Sequence, residues 1–282
     1  MGGARERMLA KSQLTQGTIY VGGTATSVLE GGKGPPMVLL HGGIECGSVV
    51  WTPVTARLVP EYRVIAPDLP GLGESTVASR IDLDSFSAWL TGILAELGAV
   101  KPILVAHSLT GGLAARFAAG HAPQLSRLVV YASPGVVRYR TPLSLRYRAM
   151  RFAVRPTRRN LERFQRFALF DRESAKARDP GWFDAFSEYS LARAQAANVR
   201  ITLGHLFRTL AKEMPRDELT RIGVPTALVW GRHDRMVPFH MAESASARYH
   251  WPLLAVDGAG HVPHIERPEK FVDALLAACA GL

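Results

Sequence analysis

Cysteine is scarce: Cys46 and Cys279 are the only two in 282 residues, far apart and in no metal-type spacing. Neither a disulfide framework nor a cysteine-built metal centre is on offer, and free thiols in a reducing cytoplasm are the default expectation. No apolar run approaches the roughly 20 residues that a membrane-spanning helix needs. The opening MGGARERMLAKSQ has charges but no apolar core, so it does not read as a secretory signal. Gly2 alone suits myristoylation, but Glu6 stands where that signal needs Ser or Thr. Internal repeats and low-complexity tracts are missing too, which removes solenoids and biased linkers from consideration.

What is present is an ordinary globular composition, 47% hydrophobic and 21% charged, at a length that suits one large α/β domain with an insertion. The net charge of +10 is unevenly placed. Residues 135–222 hold 19 Lys/Arg against 9 Asp/Glu, while the rest of the chain holds 15 of each. The excess marks an internal segment before it marks a partner.

The order of elements supports the same division. TIYV, Gly22-Gly23 and TATSVLE read as a hairpin. PMVLLH (36–41) and YRVIAPD (62–68) are short apolar runs that suit strands covered on both faces. WTPVTARLV makes a short helix, and Phe86, Leu90, Ile93, Leu94 and Leu97 keep helical spacing up to Gly98. Then PILVA (102–106), LTGGLAARFAAG and SRLVVYAS alternate strand, helix, strand. PTALVWG (225–231), VPFHMAESASARY, WPLLAV (251–256) and RPEKFVDALLAACAG continue the alternation, the last as a helix with Pro268 in its first turn. Such alternation implies a mostly parallel, doubly covered α/β sheet. Residues 136–222 interrupt it with helical sequence only, so the expected organisation is a core of 1–135 and 223–282 with an Arg-rich helical lid at 136–222.

In a doubly wound sheet, reactive groups collect beyond the carboxyl ends of the strands. Four stretches fall there: LLHGGIECG, VAHSLTGG, WGRHD and VDGAGHVPH. They bring Ser108, then Asp234, then His261 in chain order. On its own Ser108 reads equally as the cap of the following helix or as a nucleophile on a sharp turn. Taken together, His41-Gly42-Gly43, DLPGLGES (68–75), AHSLTGG, GRHD and GAGHVPHIERP, each after a strand, resemble the α/β-hydrolase family in its serine-nucleophile, esterase- and lipase-like branch.

The resemblance implies Ser108 as nucleophile, His261 as general base and Asp234 as the acid that orients it. It implies an oxyanion hole made by the backbone N–H groups of Gly43 and Leu109, and no cofactor or metal. His264 and Asp257 stand as fallbacks for base and acid. Relatives that carry the acid one strand earlier would need a carboxylate in ASPG (132–135), where there is none. Haloalkane dehalogenases and epoxide hydrolases have an aspartate where this chain has Ser108. Asp68 reads as a loop brace, and Cys46 as a small apolar filler near the site. One departure stands out. The small residues that usually flank the nucleophile at two positions are here Ala106 and Thr110, with glycines displaced to 111 and 112. A bulky Thr110 puts the fine geometry of the turn in question, and Thr110 is itself an alternative nucleophile.

Ten arginines and a single acid, Glu162, lie between residues 138 and 166. Arg148, Arg151 and Arg155 share one helical face, and Arg159, Arg163 and Arg166 another, with Pro156 between them. Basic amphipathic helices of this kind meet an anionic membrane surface or an acidic ligand, or are simply solvated. No nucleic-acid motif accompanies the charge. His107 beside the serine, with Phe152, Phe164 and Trp182 from the insertion, is expected to contact substrate, with Phe167, Phe170 and Phe186 further aromatics of the lid's inner face; such a lining suits an apolar acyl or aromatic ester. The same residues leave room for a C–C bond hydrolase, a cofactor-free perhydrolase or a non-catalytic receptor on the same fold. Oligomeric state is left open.

Overall fold

Apolar runs build the centre of the molecule. The computed structural model describes residues 2–43, 47–76, 82–137, 142–210 and 216–280; the expectations for Cys46, Arg138 and Arg140 lie outside them. β1 (Thr15–Val21) and β2 (Thr24–Gly31) form the expected hairpin, with Val21 opposite Thr24. Gly22 and Gly23 close it at φ 55° and 78°, the left-handed pair that a two-residue turn requires. β3 (Pro36–Leu40), β4 (Arg63–Pro67), β5 (Ile103–His107), β6 (Arg127–Tyr131), β7 (Thr226–Gly231) and β8 (Leu253–Val256) complete one sheet in the order β1-β2-β4-β3-β5-β6-β7-β8. β2 is antiparallel to both neighbours, and every other pairing is parallel. β8 begins two residues later than the sequence suggests: Pro252 has no N–H to give, and only its carbonyl joins the ladder, accepting from Leu228.

The two-residue period of the strands sorts their side chains onto two cores. Met37, Leu39, Val64, Val105, Val129 and Val229 face one way; Val38, Leu40, Ile65, Leu104, Val130 and Leu228 face the other. Helices cover both faces. They are α1 (Gly2–Leu9), α2 (Thr52–Leu58) after a 3-10 turn at Ser48–Trp51, α3 (Leu83–Glu96) and α4 (Leu109–His121). Between β6 and β7 come α5 (Leu143–Val154), α6 (Arg158–Ala168), α7 (Arg172–Arg178), α8 (Pro180–Gln195), α9 (Ala197–Leu210) and α10 (Arg216–Leu219). α11 (Phe239–Tyr249), α12 (Pro263–Glu266) and α13 (Pro268–Ala280) follow. Among the described residues, no helix is long and apolar enough to cross a membrane.

Sequence reasoning did not foresee α1. Its charged sequence hides two core residues one turn apart, Ala4 and Met8, and a third anchor, Arg5, which is buried and lies 3.5 Å from the Asp68 carboxylate. Asp68 also accepts from the backbone N–H of Ser48 (2.5 Å) and Glu74 (2.9 Å), so the expected loop brace ties three segments together.

Candidate active site

The turn after β5 is sharp. Ser108 sits at φ 54°, ψ −123°, conformational territory that a residue with a side chain occupies only when its surroundings hold it there. They do. The Ser108 N–H donates to the Tyr131 carbonyl (2.8 Å), and its carbonyl accepts from the Ser133 hydroxyl (2.6 Å) and the Gly111 N–H (3.0 Å). The side chain makes no cap hydrogen bond to α4, so the helix-cap reading fails locally.

Thr110 is accommodated without distorting the turn. Its hydroxyl donates back to the His107 carbonyl at 2.8 Å, with the Leu40 and His41 carbonyls within 3.3 Å. That hydroxyl is held by carbonyls at the ends of β3 and β5, whereas the hydroxyl on His261 Nε2 is that of Ser108. The close approach that a small residue normally serves is made one position later: a Cβ on Gly111 would come within 2.5 Å of Ser133.

The Ser108 hydroxyl lies 2.9 Å from His261 Nε2, and His261 Nδ1 lies 2.8 Å from Asp234 Oδ2. A carboxylate only accepts, so Nδ1 carries the hydrogen and Nε2 turns its lone pair toward Ser108. The other Asp234 oxygen accepts from the N–H groups of Met236 (2.7 Å) and Val237 (2.9 Å), which fixes the carboxylate's plane. All three side chains are buried. An imidazole set this way can accept the serine proton as the oxygen attacks.

His261 rests on a second buried layer. The His107 Nε2–H donates to the His261 carbonyl (2.9 Å), and its ring packs on Tyr131 at 4.4 Å. The structure therefore gives His107 a task other than the expected substrate contact: it holds up the histidine. The His264 N–H reaches the Tyr131 hydroxyl, which also lies within hydrogen-bond distance of His264 Nδ1 (2.8 Å), and the His264 ring packs against Trp51 with centroids 4.6 Å apart. His264 is thus a packing residue. Asp257 is exposed and paired with Arg232 at 2.6 Å, an arrangement that holds its carboxyl below the usual range and keeps it clear of His261.

Leu109 is the first residue of α4, where a helical N–H has no partner within the helix. Gly43 lies against it: a Cβ there would meet the Leu109 side chain at 2.6 Å and Leu203 at 2.9 Å. Phe152, Phe164 and Trp182 pack among residues of the insertion and on α2. Phe152 stacks on Phe164 with centroids 5.8 Å apart, and Phe164 walls a pocket between α5 and α6. Trp182 stacks on Phe186 and donates to Thr52 Oγ1 (2.8 Å). Their packing joins the insertion to itself and to α2.

Glu266 is the residue that motif reading missed. Buried at the end of α12, it accepts from Gly260 N–H (2.7 Å) with one oxygen and from Phe170 (2.6 Å) and Asp171 (3.2 Å) N–H groups with the other. Burial pushes its carboxyl upward despite those donors. The His261 N–H meanwhile donates to the Ala168 carbonyl (2.9 Å), so one carboxylate and one backbone bond clamp the histidine loop to the end of α6. The only sequence cue was its place in HVPHIERP, between Ile265 and Arg267 just after the histidine. Among the described residues, no group of three or more His, Cys, Asp or Glu is placed to hold a metal ion.

Residues 37–274 match the model of the alpha/beta hydrolase family. The chain is 30% identical over 267 residues to the pimeloyl-[acyl-carrier protein] methyl ester esterase of Aeromonas hydrophila, covering 89% of this chain and 98% of that one. Its backbone superposes on carboxylesterase CesB of Bacillus subtilis with a TM-score of 0.84 at 21% identity, over 100% of this chain and 98% of that one. On the 2-hydroxy-6-oxo-6-phenylhexa-2,4-dienoate hydrolase of Rhodococcus the TM-score is 0.82 at 22% identity, over 95% and 99%. With this fold, these motifs and this match over most of its length, the chain belongs to the alpha/beta hydrolase family and is a hydrolase of its esterase-like branch.

Proposed function

We propose that the protein hydrolyses a carboxylic ester with an apolar acyl or aromatic part, through an acyl-enzyme on Ser108. The observation that carries this reading is the hydrogen-bonded chain from Ser108 through His261 to Asp234, with the imidazole proton on the Asp234 side. Ser108 Oγ attacks the ester carbonyl carbon while His261 Nε2 takes its proton, and Asp234 stabilises the resulting imidazolium. The carbonyl oxygen becomes an oxyanion, held by the N–H groups of Leu109 and Gly43 and favoured by the positive end of α4. The intermediate collapses, the C–O bond to the alcohol breaks, and His261 returns its proton to the departing alkoxide. Water, deprotonated by His261, then attacks the acyl-serine; the acid leaves and Ser108 regains its proton. The insertion acts as a lid, shielding the site from bulk water. The Aeromonas relative's name specifies a methyl ester of a carrier-borne acyl chain, so methyl esters of medium acyl chains head the substrate panel.

A small fluorophosphonate tests the nucleophile. One covalent adduct by mass on the parent and none on Ser108→Ala supports the reading. No adduct on either protein, with tight saturable binding of an ester analogue, would favour a receptor. A panel of esters, β-diketone-like substrates and peracid formation separates ester cleavage from C–C cleavage and perhydrolysis. Turnover confined to either of the last two would overturn the ester assignment.

A further inference from the structure

α5 leaves an apolar face uncovered. Leu143, Tyr147, Met150 and Val154 recur at intervals of four, three and four, which places them on one side of the helix. They are 79%, 56%, 59% and 72% exposed. Four large apolar side chains in a row on a helix of a water-soluble fold need a reason.

The surroundings of that stripe are basic. Within residues 142–166 stand Arg146, Arg148, Arg151, Arg155, Arg158, Arg159, Arg163 and Arg166, against the single acid Glu162, which lies 3.6 Å from Arg158. Between α5 and α6 is a pocket of about 160 Å³ lined by Tyr147, Arg148, Arg151, Asn160, Arg163 and Phe164. Three of those lining residues are arginines and none is a carboxylate. Arg163 Nη1 is buried and has no hydrogen-bond partner. A buried guanidinium N–H without an acceptor is costly, and an anion in the pocket would supply one.

The pocket is also built in advance. Arg151 donates through Nε to Asn160 Oδ1 (3.1 Å) and through Nη1 to the Tyr147 hydroxyl (3.0 Å). Asn160 in turn donates to the Arg155 carbonyl (2.9 Å). Arg148 lies over the Phe167 ring at 5.2 Å, which holds its head group in place. Tyr147 belongs both to the pocket and to the exposed stripe, so the two features share one side of α5.

An apolar stripe bordered by arginines and adjoining an arginine-lined pocket has the chemistry of a lipid–water boundary. We propose that α5 and α6 dock on anionic phospholipid, with one headgroup phosphate entering the Arg148–Arg151–Arg163 pocket while Leu143, Tyr147, Met150 and Val154 sink toward the acyl chains. The site is separate from Ser108 and stands or falls independently of the proposed hydrolysis. Docking would present the insertion, and whatever enters beneath it, to a membrane.

Co-sedimentation of the full chain with phosphatidylcholine vesicles, with and without phosphatidic acid, tests this. Retention is expected only on the phosphatidic acid vesicles. Arg148→Gln with Arg163→Gln should weaken that retention roughly thirtyfold, since each arginine near an anionic surface contributes about 1 kcal/mol. Met150→Glu with Val154→Glu should weaken it at least as far. Thermal melting of each variant, which does not depend on catalysis, shows that it is folded. Equal retention on both vesicle types, or unchanged retention of the arginine double variant, overturns the pocket. Unchanged retention of the glutamate double variant overturns the stripe. Two further arms test other occupants in the absence of vesicle retention: arginine-dependent binding of glycerol 3-phosphate would assign the pocket to a soluble phosphate ester, and arginine-dependent binding of polyglutamate would assign the surface to an acidic polypeptide. Either result overturns the membrane proposal.

Discussion

At the scale of single residues, proton positions follow from which partners can only accept. His41 donates from Nδ1 to the Gly42 carbonyl and accepts the Leu69 N–H at Nε2, so its neutral tautomer is fixed. His261 is fixed in the same way by Asp234. Asp234→Asn tests how far that orientation matters. The amide oxygen can still accept from Met236 and Val237, but its NH2 then faces Nδ1 and drives the ring hydrogen to Nε2. The lone pair facing Ser108 is lost. Ester kcat should fall on the order of ten-thousandfold with melting nearly unchanged, as steady-state assays and a thermal melt would record. A loss of less than tenfold would show that Asp234 does not set the tautomer.

At the scale of elements, the junction of β5 and α4 shows what could and could not be read from the chain. Its strand, its turn and its place in the order of motifs were all legible, because buried parallel strands are short apolar runs and nothing else in the sequence looks like them. So was the meeting of Ser108, Asp234 and His261, residues separated by up to 153 positions, because each follows the carboxyl end of a strand. The role of Thr110 was not legible. Whether a β-branched residue disturbs the turn depends on carbonyls of β3, supplied from about 70 residues away. The packing partners of Phe152, Phe164 and Trp182 were not legible either, since helical spacing identifies an inward face without saying which neighbour it meets. Phe152, Phe164 and Trp182 turned out to pack within the insertion and on α2. Gly111 now carries a sharp expectation. Gly111→Ala pushes a methyl group into Ser133, which itself anchors the Ser108 carbonyl. Overpacking of this kind costs about 1–3 kcal/mol, and a displaced elbow should lower kcat well beyond any change in KM. Chemical denaturation and kinetics together check it; Gly120→Ala, where a Cβ meets nothing within 4 Å, is the control on the same helix.

At the scale of the whole molecule, the insertion and the core are tied at the histidine loop. Glu266 bridges Gly260 to Phe170 and Asp171, and Arg178 of α7 donates to the Ile265 carbonyl at 2.7 Å. Glu266→Gln replaces a double acceptor by one acceptor and one donor, so one side of the bridge must open. A shift of His261 by a fraction of its contact distance should lower ester turnover about a hundredfold. The pH dependence has a definite sign. Because burial raises the folded-state pKa of Glu266, protonation favours the folded protein. The carboxyl's contribution is fully present below its unfolded pKa and is lost as pH rises through the raised folded value. Parent stability relative to the Gln variant should therefore grow as pH falls across that window, and stay flat above it. A pH series of melts on both proteins reads this directly, and the opposite slope would mean that the three N–H donors outweigh burial.

The position of Glu266 along the chain has a consequence in time. Translation delivers Ser108 early, and β3, β5 and β6 can form around it while the ribosome is still at work. His261, its Glu266 clamp, β8 and α13 all follow Ser108 by more than 140 residues. A nascent chain stalled just before Gly260 would expose a serine hydroxyl with no imidazole to take its proton. On the proposed mechanism hydrolysis waits until the histidine loop has been made, a delay set by the order of elements along the chain.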